Sequence, residues 1–419
     1  MTGLRARAAA LFSVACMAAD PARALDRALR DTPLPRPDSG GAFLVIAVGK
    51  AAIPMARSLL DHLRDQPCKV LVVTNYENAC PVPGATVMAA GHPVPDENGA
   101  RAAEAVEALL ATASAKDRVI ALISGGGSAL LPAPLPGLSL ADKAAVSRLL
   151  LAGGLDITQM NLIRQSLSRL KGGGLLRAAA PAPVTAYILS DVIGDDLRVI
   201  ASGLTVSPIG TRAEAAGLLK STGIWPRLPA TVQAVLSMLA PQMPSIKATN
   251  ILIGSNRKSL DAVLAAAGPG ARLVDDHLTG DVGAAAARII AAARQAQTAD
   301  CLVFGGETTV TLRGTGLGGR NQELALRVAM QMPDIGRTWA FLSGGTDGRD
   351  GPTDAAGGLV DDLTATRLRQ SSDDPDVLLD NNDSNRALSL SGDLLVTGAT
   401  GTNVADVQIL MLGPRSDEI

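Results

Sequence analysis

Short, unbroken apolar runs that end in Gly, Ser or Asp limit what this chain can fold into more than any other feature. Phe43–Val48 leads into Gly49-Lys50, Val119–Ile123 into Ser124-Gly125-Gly126-Gly127, and Tyr187–Leu189 into Ser190-Asp191. The second half repeats the pattern: Cys301–Phe304 before Gly305-Gly306-Glu307, Thr338–Leu342 before Ser343-Gly344-Gly345-Thr346-Asp347, and Leu394–Val396 before Thr397-Gly398. Further strands are expected at Val70–Thr74 and Ile251–Gly254. Runs this short, with no polar alternation, suit strands buried on both faces. Ala-rich helical stretches fall between them, among them Arg101–Ala111, Gly283–Ala296 and Asn321–Gln331. The alternation predicts an α/β protein whose parallel sheets carry helices on both sides. Ligands of such sheets sit outside the carboxyl ends of the strands, which is where Gly, Ser and Asp gather here.

At 419 residues the chain is long enough for two or three domains. The least regular stretch, Ile224–Lys247, carries Pro226, Pro229, Pro241 and Pro244. It places the boundary near residue 235, giving domains 1–235 and 236–419. Hydrophobic residues make up 47% but aromatics only 2%, so the cores must be Ala, Leu, Val and Ile, and a base-stacking surface has no material. A net charge of −2 argues against nucleic acid or a membrane surface as partner. It still allows phosphate ligands, which need only a few local cations and backbone N–H groups. The sequence leaves a homo-oligomer open. Cys16, Cys68, Cys80 and Cys301 show no paired spacing and read as reduced thiols. His62, His92 and His277 are too scattered for a His-rich zinc site.

Arg5, Arg7 and the run Ala8–Ala19 resemble a signal peptide, but Asp20-Pro21 follows at once. That pair is an N-cap and a first-turn proline, so the start reads as an amphipathic helix followed by a second helix through Ala22–Leu29. No other stretch approaches the roughly 18 apolar residues of a spanning helix, and a cytoplasmic protein is expected.

Several strand ends could carry chemistry. Ser124-Gly125-Gly126-Gly127-Ser128 lets backbone approach an anion closely, or is simply a tight strand-to-helix turn. Ser343–Gly351 offers Asp347 and Asp350 among glycines, which suits Mg²⁺ with its one or two carboxylates and retained waters; turn chemistry is the plainer reading. Asp191, directly after a strand, could orient a metal or take a proton from a hydroxyl, while Asp195 and Asp196 read as caps. Lys50 stands before a helix N-terminus, against the macrodipole. It reads as a phosphate-neutralising group or as a snorkelling surface lysine. Gly314-Thr-Gly316-Leu-Gly-Gly319 matches the dinucleotide fingerprint, but its preceding strand is amphipathic and the acidic residue expected about 20 residues on has no clean match, Asp334 sitting in a Met-Pro-Asp turn. Arg320 begins the following helix, where its guanidinium could grip a carboxylate or phosphate. A P-loop, a protein-kinase signature and a nucleophile elbow are all absent.

In order along the chain, these segments resemble the type II glycerate kinase family, which carries a MOFRL module and includes members once labelled hydroxypyruvate reductases. The resemblance rests on Ala47-Val-Gly-Lys-Ala51, Gly91-His-Pro-Val-Pro-Asp96, Ile123-Ser-Gly-Gly-Gly-Ser-Ala-Leu130 and Leu167-Ser-Arg-Leu-Lys-Gly-Gly173. It continues through Ser190-Asp-Val-Ile-Gly-Asp-Asp196, Gly305-Gly-Glu-Thr308, Gly318-Gly-Arg-Asn-Gln-Glu323, Gly345-Thr-Asp-Gly348, Asn382-Asp-Ser384 and Thr397-Gly-Ala-Thr-Gly-Thr-Asn403. It implies a Rossmann-like N-terminal domain, a smaller α/β C-terminal domain and a site in the cleft between them. It also implies ATP- and Mg²⁺-dependent phosphorylation of D-glycerate, in bacterial members usually to 2-phosphoglycerate. On this reading Lys50, Asp191 and Arg320 are catalytic. Ser124, Gly125, Gly126, Gly127, Ser128, Lys171, Gly345, Thr346 and Asp347 bind substrate or ATP, and Asp191 and Asp347 face the metal. The chain departs from the family pattern at Gln165-Ser166, where Lys-His is expected, and at Gly174, Ile193 and Ala399. The first departure would alter substrate contacts. The alternatives are an NAD(P)H-dependent reductase of hydroxypyruvate or tartronate semialdehyde, resting on Gly314–Gly319, and a non-catalytic sugar-acid or nucleotide-binding protein.

Overall fold

The computed structural model describes residues 3–238, 246–296 and 298–415. Contacts divide the chain into an N-terminal unit, Pro21–Ser190 with Asp195–Ile253, and a C-terminal unit, Met1–Asp20 with Asp191–Gly194 and Gly254–Ile419. The division therefore falls at Ile253, some way beyond residue 235. The reason is that the strand after the proline-rich stretch still belongs to the first sheet. Pro241 and Pro244 of that stretch lie outside the described residues.

The N-terminal unit is built on β1 (Phe43–Val48), β2 (Cys68–Asn75), β3 (Ala85–Ala90), β4 (Arg118–Ile123), β5 (Val184–Leu189) and β6 (Thr249–Gly254). Their order is β3-β2-β1-β4-β5-β6, and the pairs from β3 to β5 run parallel. Val45, Ile46, Ala47 and Val48 are fully buried, as a continuous apolar run predicts for a strand covered on both faces. Chain order reverses between β1 and β4, so their carboxyl ends flank a topological switch point, the place where open α/β sheets bind ligands. A helical cluster of the same unit packs Val146, Leu150, Ile163, Leu219 and Val232 together. Three of its helices start with capping boxes, Ser139/Asp142, Asp156/Gln159 and Thr211/Glu214, which satisfy N-terminal donors and fix where each helix begins.

The C-terminal unit carries β7 (Ala271–Asp275), β8 (Gly280–Asp281), β9 (Cys301–Gly306), β10 (Thr308–Thr309), β11 (Arg337–Gly345), β12 (Gly357–Asp361), β13 (Leu394–Leu395) and β14 (Asp406–Arg415). Its main sheet has the order β13-β12-β11-β14-β9-β7. This sheet is mixed, a departure from the expected parallel arrangement: β14 runs antiparallel to both β11 and β9. Side chains alternate across it. Val407, Ile409 and Met411 face one core, with Leu260, Val263 and Leu342; Leu410, Leu412, Phe304 and Phe341 face the other, with Ile289, Leu324 and Leu388.

The first core also takes the chain's start. The helix Gly3–Ala18 buries Ala8, Leu11, Phe12 and Ala15 in it, and Arg5 pairs with Asp361 at 2.9 Å and Asp393 at 2.7 Å. The apolar stretch is thus a core helix of the C-terminal unit, and Pro21 opens a second helix, Pro21–Asp31, as expected. Among the described residues no single helix is long and apolar enough to cross a membrane. Phe12 is 1% exposed, and its ring lies so near Gly344 that a Cβ there would stand 2.9 Å from it. Phe12→Ala should therefore lower stability by about 3–4 kcal/mol, read as a fall in the denaturation midpoint with an unchanged slope. A change under about 1 kcal/mol would mean the helix is peripheral.

Candidate active site

At the switch point, β1 and β4 come together through their terminal residues. Gly49 has φ +122°, and a Cβ there would lie 2.2 Å from Ser124 Oγ and 2.5 Å from its carbonyl oxygen, so no side chain fits. The Ser124 hydroxyl accepts from Ala51 N–H at 3.1 Å and reaches Val48 O at 3.4 Å. Read from sequence as a ligand group, it instead ties the two strand ends to the start of the helix Ala52–Leu63. Lys50 N–H donates to Gly125 O at 2.9 Å, and Lys50 O accepts from Asn78 Nδ2 at 3.0 Å. With its backbone held on both sides, Lys50 sits before the Ala51 N-cap. Gly126 takes the left-handed conformation, φ +85°. A Cβ there would be 3.0 Å from the His92 ring and 3.4 Å from Lys50 Cγ, so Lys50, His92 and the glycine turn are one cluster. Burial, then the neighbouring Lys50 charge, pushes the His92 pKa down, leaving a neutral imidazole. His92 was legible only as part of the Gly91–Asp96 segment; nothing in the sequence brings it to β4.

Behind the turn lies a buried polar chain. Lys171, 4% exposed, donates from Nζ to Ser128 O at 2.7 Å and to Ser128 Oγ at 3.0 Å. Ser128 Oγ pairs with Ser202 Oγ at 2.8 Å, and Ser202 Oγ donates to Asn161 Oδ1 at 2.7 Å. Ala201 and Ser202, at φ +48° and +57°, hold left-handed backbone that costs about 1–3 kcal/mol each and clusters at functional sites. Gln165 holds this segment: its Nε2 donates to Arg198 O and Ser202 O, and its Oε1 accepts from Ile209 N–H. The departure at Gln165 is thus a brace for backbone, and Ser166 donates to Leu162 O within its own helix.

In the C-terminal unit, Arg320 opens the helix Arg320–Gln331. Its Nε and Nη2 form a fork on Asp406 at 2.6 and 3.0 Å, and its Nη1 meets Glu307 at 2.7 Å. Burial works against the Arg320 charge, but Asp406 and Glu307 more than offset it. Burial pushes Asp406 up to about 6, against the pull of Arg320. Asp350, a carboxylate considered for metal, is the anion at this helix's N-terminus: it accepts from Asn321 N–H at 3.1 Å and Gln322 N–H at 2.8 Å. An acidic group stabilises a helix there. Asp347, half-buried, accepts from Arg349 N–H through Oδ1 at 3.0 Å, which is turn chemistry. Thr346, fully buried, donates to Ala405 O and accepts from Val404 N–H. With Gly345, it fixes the loop from which Asp347 projects.

The Gly314–Gly319 loop follows β10, only two residues long, and the amides of Gly314 to Leu317 are already engaged. Arg313 and Gly314 N–H donate to Asn382 Oδ1, Thr315 N–H to Asn381 Oδ1 and Leu317 N–H to Asp383 Oδ1. With the N–H groups of Gly314 to Leu317 turned onto the chain's own oxygens, the dinucleotide fingerprint is weakened on hydrogen bonding as well as on context. Asp191 stands two residues beyond the end of β5 and is half-buried, while Asp196 is taken by Arg198. Among the described residues no group of three or more His, Cys, Asp or Glu is placed to hold a metal ion. Single carboxylates such as Asp191 and Asp347 would fit a metal only if it takes one or two carboxylates and completes its shell with water and phosphate oxygens.

A switch-point sheet with glycine-rich strand ends, joined in sequence to a unit bearing a clamped arginine, defines an α/β enzyme for small anionic substrates. Residues 7–237 match a family model described as a domain of unknown function, DUF4147, and residues 300–406 match the MOFRL family. The D-glycerate 2-kinase of Thermotoga maritima is 39% identical over 398 residues, 92% of this chain and 93% of that protein. The glycerate 2-kinase of Pyrococcus horikoshii is 37% identical over 392 residues, 89% and 88% of the two chains. A relative from Agrobacterium vitis, 38% identical over 96% of this chain and 93% of its own, carries a hydroxypyruvate reductase name. The crystal structure of the Thermotoga maritima glycerate kinase matches with a TM-score of 0.90 and 36% identity, covering 98% of this chain and 100% of that one. The chain belongs to the glycerate kinase family of DUF4147–MOFRL architecture.

The Arg320–Asp406 fork requires an ionised Asp406. As pH falls through about 6, Asp406 takes up a proton, the fork loosens, and kcat should fall. Asp406→Asn should lower kcat about tenfold or more at pH 7.5 and remove that acid limb. An unchanged acid limb in the variant would detach Asp406 from it.

Proposed function

We propose that this chain transfers the γ-phosphoryl group of ATP to the 2-hydroxyl of D-glycerate. The observation that carries the reading is near full-length similarity to two glycerate 2-kinases at 37–39% identity, joined to a fold whose glycine-rich strand ends suit phosphate. The bond between the γ-phosphorus and the bridging oxygen of ATP breaks, a bond to the glycerate 2-oxygen forms, and ADP leaves. Such a transfer needs positioning and charge stabilisation more than covalent help.

Lys50 supplies positive charge to the transferring group from a backbone held at Gly125 and Asn78. The Gly125–Ser128 turn offers close approach to phosphate oxygens, because Gly126 has no room for a side chain beside His92 and Lys50. Lys171 acts through Ser128, holding the turn from behind. Arg320, its inner edge fixed by Asp406, would offer Nη1 to a carboxylate or phosphoryl oxygen in place of Glu307. Asp191 takes the proton of the attacking hydroxyl. Asp191 and Asp347 would also hold Mg²⁺, which would neutralise phosphate charge when bound. Gly345 and Thr346 set the Asp347 loop.

Lys50→Ala should lower kcat at least a hundredfold or so while thermal stability stays within a few degrees of wild type, measured by ADP release with D-glycerate. Near-normal turnover would remove Lys50 from the mechanism. Oxidation of NADH with hydroxypyruvate, in the absence of ADP release from glycerate, would instead establish the reductase reading.

A further inference from the structure

Aromatic rings are scarce in this chain, and nearly all of them are spent on packing. Phe12, Phe43, Tyr187, Phe304, Trp339 and Phe341 are buried, and Trp225 is half-buried with Lys220 Nζ 4.8 Å from its ring centre. Tyr76 is 52% exposed, the only exposed aromatic among the described residues. A tyrosine at a surface is ordinary, but this one is held in place. Its hydroxyl donates to Asp96 Oδ2 and accepts from Asn98 Nδ2 at 2.6 Å. Asp96 is itself fixed as the N-cap of the helix Glu97–Leu110, where it accepts from Gly99 N–H at 2.9 Å, and Asn98 Oδ1 accepts from Arg101. With its polar tip tied down, the side chain offers its apolar ring outward and has little freedom left to lose on binding.

The ring stands on the rim that the glycine-rich turns share. Strands β1 and β2 run parallel with Val48 beside Val73, and Gly49 N–H donates to Val73 O at 3.1 Å. Lys50 lies two residues past Val48 and Tyr76 three past Val73, so both leave the sheet at its carboxyl edge. The short helix Tyr76–Asn78 turns back onto Lys50, whose carbonyl accepts from Asn78 Nδ2 at 3.0 Å, while Lys50 N–H holds Gly125 O. A second tie comes from the segment after β3. Its His92 lies against Gly126, its Asp96 holds the Tyr76 hydroxyl, and Val94 between them is exposed. In the order β3-β2-β1-β4, β2 stands two strand spacings, about 10 Å, from β4. A ligand with phosphates at Gly125–Ser128 and a planar ring on Tyr76 has to span that distance. A nucleotide does so through its ribose and phosphate chain, and a three-carbon acid does not. One ring cannot carry a nucleic-acid strand, but it suffices for one base.

We propose that Tyr76 is a nucleotide-binding residue, its ring stacking the adenine of ATP while the phosphates lie at Lys50 and the Gly125–Ser128 turn. The inference rests on the reading of ATP as phosphoryl donor. Tyr76 holds the donor and takes no part in the bond change, so it acts on the affinity for ATP and not on that for D-glycerate. Stacking engages the π-face of a base and not its edge, so the ring distinguishes a nucleotide from a bare polyphosphate.

The test measures binding of ATP and of inorganic tripolyphosphate, each with Mg²⁺, to the full chain by isothermal titration calorimetry, in wild type, Tyr76→Phe and Tyr76→Leu. Tyr76→Leu should weaken ATP binding about tenfold or more, the loss of one base–aromatic stack, and leave tripolyphosphate unchanged. Tyr76→Phe keeps the ring and should stay within about threefold of wild type for both ligands. In turnover, Tyr76→Leu should raise KM for ATP by the same factor with KM for D-glycerate unaltered. The proposal is overturned if Tyr76→Leu binds ATP as wild type does, or if Tyr76→Phe loses as much as Tyr76→Leu, which would make the hydroxyl latch the whole of the residue's role. It is overturned too if tripolyphosphate weakens in step with ATP, the mark of a disturbed phosphate turn. A wild type that binds ATP but releases no ADP with D-glycerate would sink the kinase reading and leave the stacking site standing; one that binds no ATP would overturn both.

Discussion

The arrangement of the N-terminal unit depends on how closely β1 and β4 approach at their carboxyl ends. Gly49 has Ser124 where a Cβ would be, and that contact lets one hydroxyl tie Val48, Ala51 and Ser124 together. From this junction the chain turns twice, once into Lys50 and once into Gly125–Ser128. A larger residue at Gly49 would push the strands apart and carry Lys50 away from Gly126 and His92. The order β3-β2-β1-β4-β5-β6 gives the sheet its switch point; the missing side chain at Gly49 turns that switch point into a narrow site.

A second constraint of the same kind governs the C-terminal unit, and it is electrostatic. Asp350 fixes the start of the helix Arg320–Gln331 through two backbone N–H groups, and Asp406 fixes the guanidinium at its first residue. Both carboxylates are buried, so both hydrogen bonds act in a low-dielectric setting where charge-assisted pairs are strong. Arg320 is thereby pre-organised: its side chain does not have to give up freedom when a ligand arrives. Glu307, on the more exposed side, holds Nη1, and an anion binding there would have to displace it.

How much of this was legible in the sequence follows from how local each feature is. Strands β1, β4, β5, β9 and β11 were readable because continuous apolar runs end in glycine or a small polar residue. The central strand of the second sheet, β14, was not. It begins with Asp406 and Gln408, polar residues wholly buried by tertiary context, and it turns a sheet expected to be parallel into a mixed one. Lys50 stood out because a cation precedes a helix start, against the dipole, and Arg320 because it opens the helix after the glycine-rich loop, where a guanidinium can grip an anion. Their partners did not, since Asp406 is 86 residues from Arg320 and no local pattern joins them. Ser124, Thr346 and Lys171 lie at the expected loops, but their polar atoms hold the chain's own backbone and hydroxyls. Sequence spacing cannot distinguish a hydroxyl that faces a ligand from one that braces the loop behind it. The same limit applied to Gln165, read as a lost substrate contact and found to hold a strained backbone segment.

The central claim is phosphoryl transfer from ATP to glycerate, and phosphorus NMR of the products tests it most directly. Purified protein would be incubated with D-glycerate, ATP and Mg²⁺, and the phosphate-ester and nucleotide resonances followed together. The account predicts ADP and a 2-phosphoglycerate signal growing in equal amounts, with no 3-phosphoglycerate. Unchanged ATP would contradict the kinase assignment itself, and a 3-phosphoglycerate signal would contradict the assignment of the 2-hydroxyl while keeping the reaction class.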